Sequence, residues 1–174
     1  DGFTVFVKDA VIGDTVTAKI MKAKKNYGYG RLMEILKPSP YRVEPICPSA
    51  RQCGGCQLQA VSYEEQKAFK EKKLRGHLER IGGFKELPME PLIGMDEPYH
   101  YRNKAQFPVG RNKEGRIVTG FYAGRTHAII ENRDCALGIP QNKEVLDRVI
   151  AHMEKYNIAP YDEMTGKGLV RHIF

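Results

Sequence analysis

The stretch CPSARQCGGCQLQ, residues 47–59, holds three of the four cysteines in the chain. Five residues separate Cys47 from Cys53, two glycines separate Cys53 from Cys56, and Cys135 lies far downstream. Three thiols this close together, with a distant fourth, are typical of a site that binds metal through sulfur. We expect the two glycines to let the backbone wrap tightly around the sulfurs, because glycine tolerates positive φ angles and lets amides approach a bound sulfur closely. The stretch therefore predicts a thiolate metal site.

The cysteine spacing leaves the kind of site open. An iron–sulfur cluster is the first interpretation, because plant-type ferredoxins space their cysteines in nearly the same way, with one residue fewer in the first gap. Zinc also accepts four thiolates, although its sites more often pair two short Cys-x2-Cys knuckles. Disulfides are a third interpretation, but no secretory leader is visible at the start of the chain. A redox pair of Cys53 and Cys56 would need a preceding buried strand, which residues 44–48 do not resemble.

The composition is that of a globular chain, with 41% apolar and 28% charged residues among 174. No apolar run approaches the ~20 residues that span a bilayer, so we expect a soluble protein with no membrane partner. The net charge of +7 favours a polyanionic partner, because Lys and Arg that neutralise phosphates release counterions. Cysteines that stay reduced in a cluster would place the protein in the cytoplasm. No obligate protein partner is evident.

Residues 1–38 have the pattern of short β-strands, and residues 15–20 alternate polar with apolar positions. The predicted strands are residues 3–7, 15–20 and 30–35. An antiparallel barrel cannot close with so few strands, so a further strand is expected before Asp1. The predicted loop between the second and third strands interleaves cations with aromatic rings, which suits single-stranded nucleic acid. Its candidate nucleic-acid-binding residues are Lys22, Lys24, Lys25, Tyr27 and Tyr29. A solvated loop with inward-packed tyrosines is the alternative.

The rest of the chain predicts helices around a small sheet. A helix is predicted from Ser62 to Ile81, opened by a capping box between Ser62 and Glu65, and a second at residues 142–156. The predicted strands of an antiparallel meander are residues 101–109, 117–122 and 127–130. The meander would return Cys135 to the other cysteines. The last residues resemble a strand with no turn after it, so we expect more chain to follow.

Several segments together resemble one known family. They are the stretch 47–59, Tyr63 and Gln66, YRNKAQF at 101–107, GFY at 120–122, His127, Cys135 and Arg171-His172. In this order they resemble the N-terminal part of an iron–sulfur RNA (uracil-5-)-methyltransferase, the bacterial class that acts on 23S ribosomal RNA. The resemblance extends over almost the whole chain and is more specific than the cysteine spacing alone.

The resemblance implies an α+β chain in two domains. Residues 1–38 would be a TRAM-like RNA-binding domain, an OB-like β-barrel incomplete at its N-terminus. Residues 39–170 would form a mixed domain with an antiparallel meander, two helices and a cysteine loop. A [4Fe-4S] cluster would be bound by Cys47, Cys53, Cys56 and Cys135.

The same resemblance places the chemistry outside this chain. S-adenosylmethionine would be bound by a Rossmann-like catalytic domain expected beyond residue 174. The chain has no Gly-x-Gly-x-x-Gly loop, and the cluster would occupy all four cysteines, so no catalytic residue is assigned. We therefore expect the 174 residues alone to be inactive and the full-length protein to be an enzyme.

Cations on or beside the meander are further candidates for contacts to RNA phosphates. They are Arg102, Lys104, Arg125 and Arg171. Two other functions fit parts of the pattern. A self-contained, non-enzymatic nucleic-acid-binding protein could hold a structural zinc ion on the four cysteines. A small iron–sulfur electron carrier is a weaker fit, because such carriers are more often acidic than basic.

Overall fold

The computed structural model describes residues 2–174, which form two compact units. The N-terminal unit comprises residues 2–45 and Gln57–Gly94, and the C-terminal unit comprises Ile46–Cys56 and Met95–Phe174. The elements are β1 (Thr4–Lys8), β2 (Thr15–Ala23), β3 (Tyr27–Lys37), α1 (Tyr63–Arg80), β4 (Phe107–Arg111), β5 (Ile117–Tyr122), β6 (Ile129–Glu131), α2 (Gln141–Lys155) and β7 (His172–Ile173). The class is α+β, as predicted.

The N-terminal unit contains a three-stranded sheet in the order β1-β3-β2. β2 and β3 pair antiparallel, as expected for strands joined by a short turn, but β1 pairs with β3 in parallel. The expectation of purely antiparallel pairing was therefore wrong for β1. Within residues 2–174, β1 and β2 each pair with one neighbour only, so the described strands form an open sheet rather than a closed barrel.

A charged pair anchors the segment that follows this sheet. Arg42 donates to both carboxylate oxygens of Asp14, at 3.1 Å from Nε and 2.5 Å from Nη2. The backbone N–H groups of Val11 and Ser39 also donate to Asp14, at 2.7 and 2.8 Å. The Asp14 side chain is 1% exposed. The hydrogen bonds from Arg42, followed by those from the backbone, hold the pKa of Asp14 far below its ordinary value.

The helix α1 begins as predicted but without the predicted cap. Ser62 is the N-cap residue, yet its side chain makes no capping hydrogen bond, so the capping box with Glu65 is not formed. Gln66 ties the helix to the preceding segment instead, because its Nε2 donates to the carbonyls of Leu58 and Val61 at 3.1 and 2.9 Å. None of the α1 residues is fully buried.

The C-terminal unit is built on a four-stranded antiparallel sheet in the order β6-β5-β4-β7. Its core is formed by Val109 and Ile117 of the sheet with Ile150 and Met153 of α2. The predicted meander and the second helix are thereby confirmed. The first strand starts at Phe107 rather than at residue 101, and residues 127 and 128 precede β6 instead of belonging to it.

Within residues 2–174, no helix is both long enough and apolar enough to cross a membrane.

Candidate cysteine site and nucleic-acid surface

All four cysteines lie in the C-terminal unit. Cys47 and Cys53 are buried, Cys56 and Cys135 are half-buried, and none of them forms a disulfide. The disulfide interpretation therefore has no support in the fold. As the side chains stand, no three Cys, His, Asp or Glu residues within 2–174 form a group that could hold a metal ion.

The turn that carries Cys53 is fixed to the end of β5. Cys53 forms an isolated antiparallel bridge with Ala123, and the backbone N–H of Gly54 donates to the carbonyl of Tyr122 at 2.9 Å. The N–H of Gly55 donates to the sulfur of Cys53 at 3.3 Å. Backbone donors to sulfur are common around metal-bound thiolates, because they stabilise negative charge there.

The close approach of an amide to sulfur occurs at Gly55, but the positive φ angles expected for these two glycines do not. Among residues 2–174, neither Gly54 nor Gly55 is one of the glycines with positive φ. Gly54 is required by a close approach instead, since an added Cβ would lie 3.0 Å from the Cα of Gly124 and 3.0 Å from the carbonyl oxygen of Tyr122. A Cβ on Gly55 would meet only the sulfur of Cys53, at 3.4 Å. Space, rather than backbone freedom, selects glycine at residue 54.

Asn132 links the segment of Cys135 to Cys47. Its side-chain Nδ2 donates to the sulfur of Cys47 at 3.5 Å, and its backbone N–H donates to Thr119 in β5 at 3.2 Å. Asn132 lies just before Cys135 in the sequence, so one short segment contacts Cys47 and carries the distant thiol. Four thiols in one unit, with N–H donors to two sulfurs, suit the donor set of a metal–thiolate site. Sequence analysis missed Asn132, for which the only signal is its place at the end of a strand before a cysteine.

The cations and tyrosines of the N-terminal unit lie mostly on strands rather than in a loop. Lys22 belongs to β2, while Tyr27 and Tyr29 belong to β3, so only Lys24 and Lys25 occupy the turn. The prediction of a long loop was wrong, because hairpin pairing continues as far as Ala23 and Gly28. The Lys24 ammonium lies 5.3 Å from the ring centroid of Tyr27. The two tyrosine rings lie 5.7 Å apart, with Tyr27 half-buried and Tyr29 exposed.

The four candidate cations of the C-terminal unit are all exposed, but their surroundings differ. Arg102 is fixed through its backbone, whose N–H donates to Leu137 at 2.8 Å. Arg125 occupies the turn after β5 with a φ of 63°. Lys104 lies in the coil before β4. Among residues 2–174, Arg171 is the one of the four for which an ion pair is found.

The ion pair of Arg171 is part of a small charged cluster. Glu163 accepts from Arg171 at 3.1 Å and contacts Nδ1 of His127 at 2.6 Å. These contacts, His127 first, lower the pKa of Glu163. The His127 ring stacks on Tyr122, with centroids 5.0 Å apart. Burial lowers the pKa of the neighbouring His172. Because Glu163 offsets the charge of Arg171, Arg171 offers less attraction to a phosphate than an isolated arginine would.

Comparison with known proteins extends these observations. The TRAM domain family matches residues 1–33. A Bacillus cereus protein named as an uncharacterized RNA methyltransferase is 44% identical over 172 residues, which is 99% of this chain and 37% of that protein. A Clostridium tetani protein with the same name is 43% identical over 173 residues, and a Staphylococcus aureus protein 38% identical over 173 residues. Along almost its whole length the chain is similar to part of each of these proteins. It spans between 37% and 38% of the length of these three relatives.

A solved structure shares the fold of this chain. It is the Pyrococcus abyssi tRNA (uracil-54, C5)-methyltransferase in complex with S-adenosyl-L-homocysteine. The TM-score is 0.67 at 23% identity, and the match covers 97% of this chain and 37% of the other. At this identity the likeness shows that the two proteins share a fold.

Proposed function

We propose that the full-length protein transfers a methyl group from S-adenosylmethionine to C5 of a uridine in 23S ribosomal RNA. The observation that carries the proposal is the similarity, along 99% of this chain, to proteins named as RNA methyltransferases. The fold shared with a uracil C5 methyltransferase that was solved with S-adenosyl-L-homocysteine supports the choice of atom and cofactor. The choice of 23S ribosomal RNA rests on the family resemblance of the sequence.

In this proposal the described residues bind RNA and a [4Fe-4S] cluster. Residues 1–38 are the TRAM-like domain, to which an OB-like barrel is assigned, and residues 39–170 are the cluster domain; this division stays a prediction. Cys47, Cys53, Cys56 and Cys135 are the ligands. The N–H donors of Gly55 and Asn132 support this assignment, since each is directed at one of these sulfurs. The cluster would supply structural stability or help to hold RNA, because methyl transfer involves no net redox step.

The RNA contacts proposed for the described residues are electrostatic and stacking contacts. They involve Lys22, Lys24, Lys25, Tyr27, Tyr29, Arg102, Lys104, Arg125 and Arg171. The nucleophile and the base of the methyl transfer are assigned to residues outside this chain, since the four cysteines are committed to the cluster. A cytoplasmic location is part of the proposal, because such a cluster survives only under reducing conditions.

The test is nucleoside mass spectrometry on a strain that lacks the gene. We expect 5-methyluridine to be lost from 23S ribosomal RNA, kept in transfer RNA, and restored by the full-length gene. The purified protein should also transfer labelled methyl groups from S-adenosylmethionine to unmodified 23S fragments. Loss of 5-methyluridine from transfer RNA alone would contradict the choice of substrate, and unchanged 5-methyluridine in both RNAs would contradict the reaction.

The cluster is tested independently of the reaction. Protein purified without oxygen should be brown, with about four iron atoms per chain, as expected for a four-cysteine [4Fe-4S] site. Cys53→Ser should lose the colour and the bound iron. Colourless protein that contains one zinc ion per chain would contradict the cluster and leave the methyl transfer untouched.

A further inference from the structure

The carboxylate of Glu163 lies between two donors of the C-terminal unit. Its Oε1 accepts from Nη2 of Arg171 at 3.1 Å, and its Oε2 lies 2.6 Å from Nδ1 of His127. Glu163 is ionised at neutral pH, since these contacts lower its pKa further. Because an ionised carboxylate only accepts hydrogen bonds, Nδ1 of His127 is the donor in the second contact. Each oxygen of the carboxylate therefore has a donor of its own, as the oxygens of a protein-bound phosphate do.

Aromatic rings hold both donors in place without the help of Glu163. The His127 ring stacks on Tyr122 of β5, with centroids 5.0 Å apart and planes tilted by 21°. The guanidinium carbon of Arg171 lies over the ring of Tyr161, 5.2 Å from its centroid. Such stacking fixes the orientation of a planar side chain. Both donors would therefore keep their positions if the carboxylate moved away.

The turn that carries Glu163 is ordered by other groups. Oδ1 of Asp162 accepts from the backbone N–H groups of Met164 and Thr165 at 2.9 and 2.8 Å, and from the Thr165 hydroxyl at 3.1 Å. The backbone N–H of Gly166 donates to the carbonyl of Asp162 at 2.8 Å. The Glu163 side chain takes part in none of these bonds. It can therefore leave the two donors by rotating about its own side-chain bonds, while the backbone of the turn stays in place.

The contacts of Glu163 are open to solvent. The side chain of Glu163 is 38% exposed, that of His127 71% and that of Arg171 57%. Ion pairs this exposed contribute little, because water and salt screen them. A phosphate that receives hydrogen bonds from the same two donors can therefore take the place of the carboxylate.

We infer that His127 and Arg171 form a binding site for a phosphate group of RNA, and that the carboxylate of Glu163 occupies this site while no RNA is bound. The inference deepens the proposed function and rests on it for the choice of RNA as the source of the phosphate. It adds His127, which the proposed function does not use. It also makes Glu163 an internal competitor, which weakens the binding of RNA at Arg171.

The test is fluorescence anisotropy of the full-length protein with a labelled single-stranded oligoribonucleotide of about 12 nucleotides. Glu163→Gln keeps the size of the side chain but removes the charge that competes with phosphate. It should strengthen binding by about 2- to 5-fold, which is the equivalent of one exposed ion pair. Circular dichroism checks that the variant is folded.

The two donors predict a coupling to Glu163. Arg171→Gln removes one donor, and His127→Phe removes the other while keeping a ring on Tyr122. Each donor is offset by Glu163 in the unchanged protein and is free to act in Glu163→Gln. Each donor change should therefore weaken binding by about 2- to 5-fold more in the Glu163→Gln background than in the unchanged protein.

Glu144→Gln is the matched control. Glu144 also pairs with an arginine of the C-terminal unit, Arg148, at 2.6 Å, and both side chains are exposed, at 67% and 79%. The control removes the same negative charge and frees an arginine outside the cluster of Glu163. It should leave the affinity for RNA close to that of the unchanged protein.

Inorganic phosphate distinguishes a free anion from the RNA backbone as the occupant. The gain in affinity of Glu163→Gln should be the same in millimolar phosphate as in chloride at equal ionic strength, because the RNA is held by further contacts. If phosphate cancels this gain and chloride does not, the site binds the free anion, and the choice of RNA is overturned.

Three further outcomes would overturn the inference. Equal gains for Glu163→Gln and Glu144→Gln would show that net charge alone acts. Equal losses for Arg171→Gln in both backgrounds would show that Glu163 does not compete. A lower melting temperature of Glu163→Gln without a gain in affinity would show that the cluster is purely structural. Methyl transfer without the gain contradicts the inference alone, whereas the gain without methyl transfer contradicts the proposed function alone.

Discussion

Asn132 contacts both the sulfur of Cys47 and the segment that leads to Cys135. Its Nδ2 reaches the sulfur of Cys47, while its Oδ1 accepts from the backbone N–H of Asp134 at 3.1 Å. The second contact orients the amide, so that the N–H donors face the sulfur. Residues that hold ligands in this way tune metal–thiolate sites without binding the metal. Asn132 is therefore a positioning residue for the proposed cluster.

Replacing Asn132 should change the reduction potential of the proposed cluster. Asn132→Leu keeps the size of the side chain but removes the donor to Cys47. An N–H donor stabilises the more negative, reduced cluster, so its loss should lower the potential by about 20–60 mV, the equivalent of one ordinary hydrogen bond. Protein-film voltammetry or a spectroscopic redox titration measures this shift, and iron analysis checks that the cluster is retained.

Asn112→Leu is the control for this experiment. Asn112 also orders a turn, since its Oδ1 accepts from the N–H groups of Glu114 and Arg116 at 3.2 and 2.9 Å, but the contacts found for it include no sulfur. The control should keep the potential of the unchanged protein. If the unchanged protein, Asn132→Leu and Asn112→Leu all have the same reduction potential, Asn132 does not act on the cluster.

The pair of Asp14 and Arg42 predicts a pH-dependent contribution to stability. Asp14→Asn should lower the free energy of unfolding of the N-terminal unit by about 2–3 kcal/mol at pH 7, less than for a fully buried pair because Arg42 is partly exposed. The pKa of Asp14 is lowered in the folded state. The pair therefore stabilises fully above the ordinary carboxyl pKa of about 3.9, and this contribution is lost as the pH falls below it.

Urea unfolding followed by circular dichroism at pH 7 and at pH 3 measures both parts of this prediction. The difference between Asp14→Asn and the unchanged protein should be smaller at pH 3. Glu86→Gln serves as the control, because Glu86 is exposed in the same unit and should matter little at either pH. A difference that is the same at both pH values would contradict the role of the ionised carboxylate.

At the scale of elements, the cysteine turn depends on how closely it approaches the end of β5. Gly54→Ala places a methyl group 3.0 Å from backbone atoms of Gly124 and Tyr122, which cannot rotate away. We expect the free energy of unfolding to fall by about 1–2 kcal/mol and the metal to be bound more weakly, since overpacking forces the backbone to shift. Thermal melting and metal content per chain measure the two effects.

The adjacent glycine gives a matched comparison. Gly55→Ala meets only the Cys53 sulfur at an ordinary contact distance and keeps the N–H that donates to it. This variant should melt close to the unchanged protein. If both variants lose stability equally, backbone freedom rather than the approach to Gly124 governs the turn.

The elements also show which predictions the sequence can support. Alternation at the start of β2 and the apolar face of α2 were visible in the sequence, because each is a local pattern. The parallel pairing of β1 with β3 was not, since it depends on which edge of β3 is available. A strand among the last residues was predicted and is confirmed as β7, but no local pattern specifies that it pairs with Phe107 and Pro108.

At the scale of the whole molecule, the chain order does not follow the compact units. Residues 46–56 belong to the C-terminal unit, although the segments before and after them belong to the other. From the sequence we expect the meander to return Cys135 to the other cysteines, and this stays a prediction. The sequence could not predict that the chain leaves the N-terminal unit at Ile46 and returns to it after Cys56. That path depends on long-range contacts such as the hydrogen bond from Gly54 to Tyr122.

Because residues 46–56 belong to the C-terminal unit, we expect the removal of metal to affect that unit only. Without metal, residues 46–56 are held by single contacts such as the hydrogen bonds Gly54–Tyr122 and Asn132–Cys47. Such contacts contribute about 1 kcal/mol each, far less than a structural metal. Hydrogen exchange should therefore accelerate in residues 46–56 and around Cys135 after anaerobic chelation, as expected for a local opening.

The strands of the N-terminal unit provide the internal control for the same experiment. β1–β3 contain no cysteine, so their exchange should stay the same with and without metal. Cys53→Ser should reproduce the chelated pattern without any chelator. Uniform acceleration in both units would mean that the metal stabilises the whole fold, and no acceleration anywhere would remove the four cysteines as its ligands.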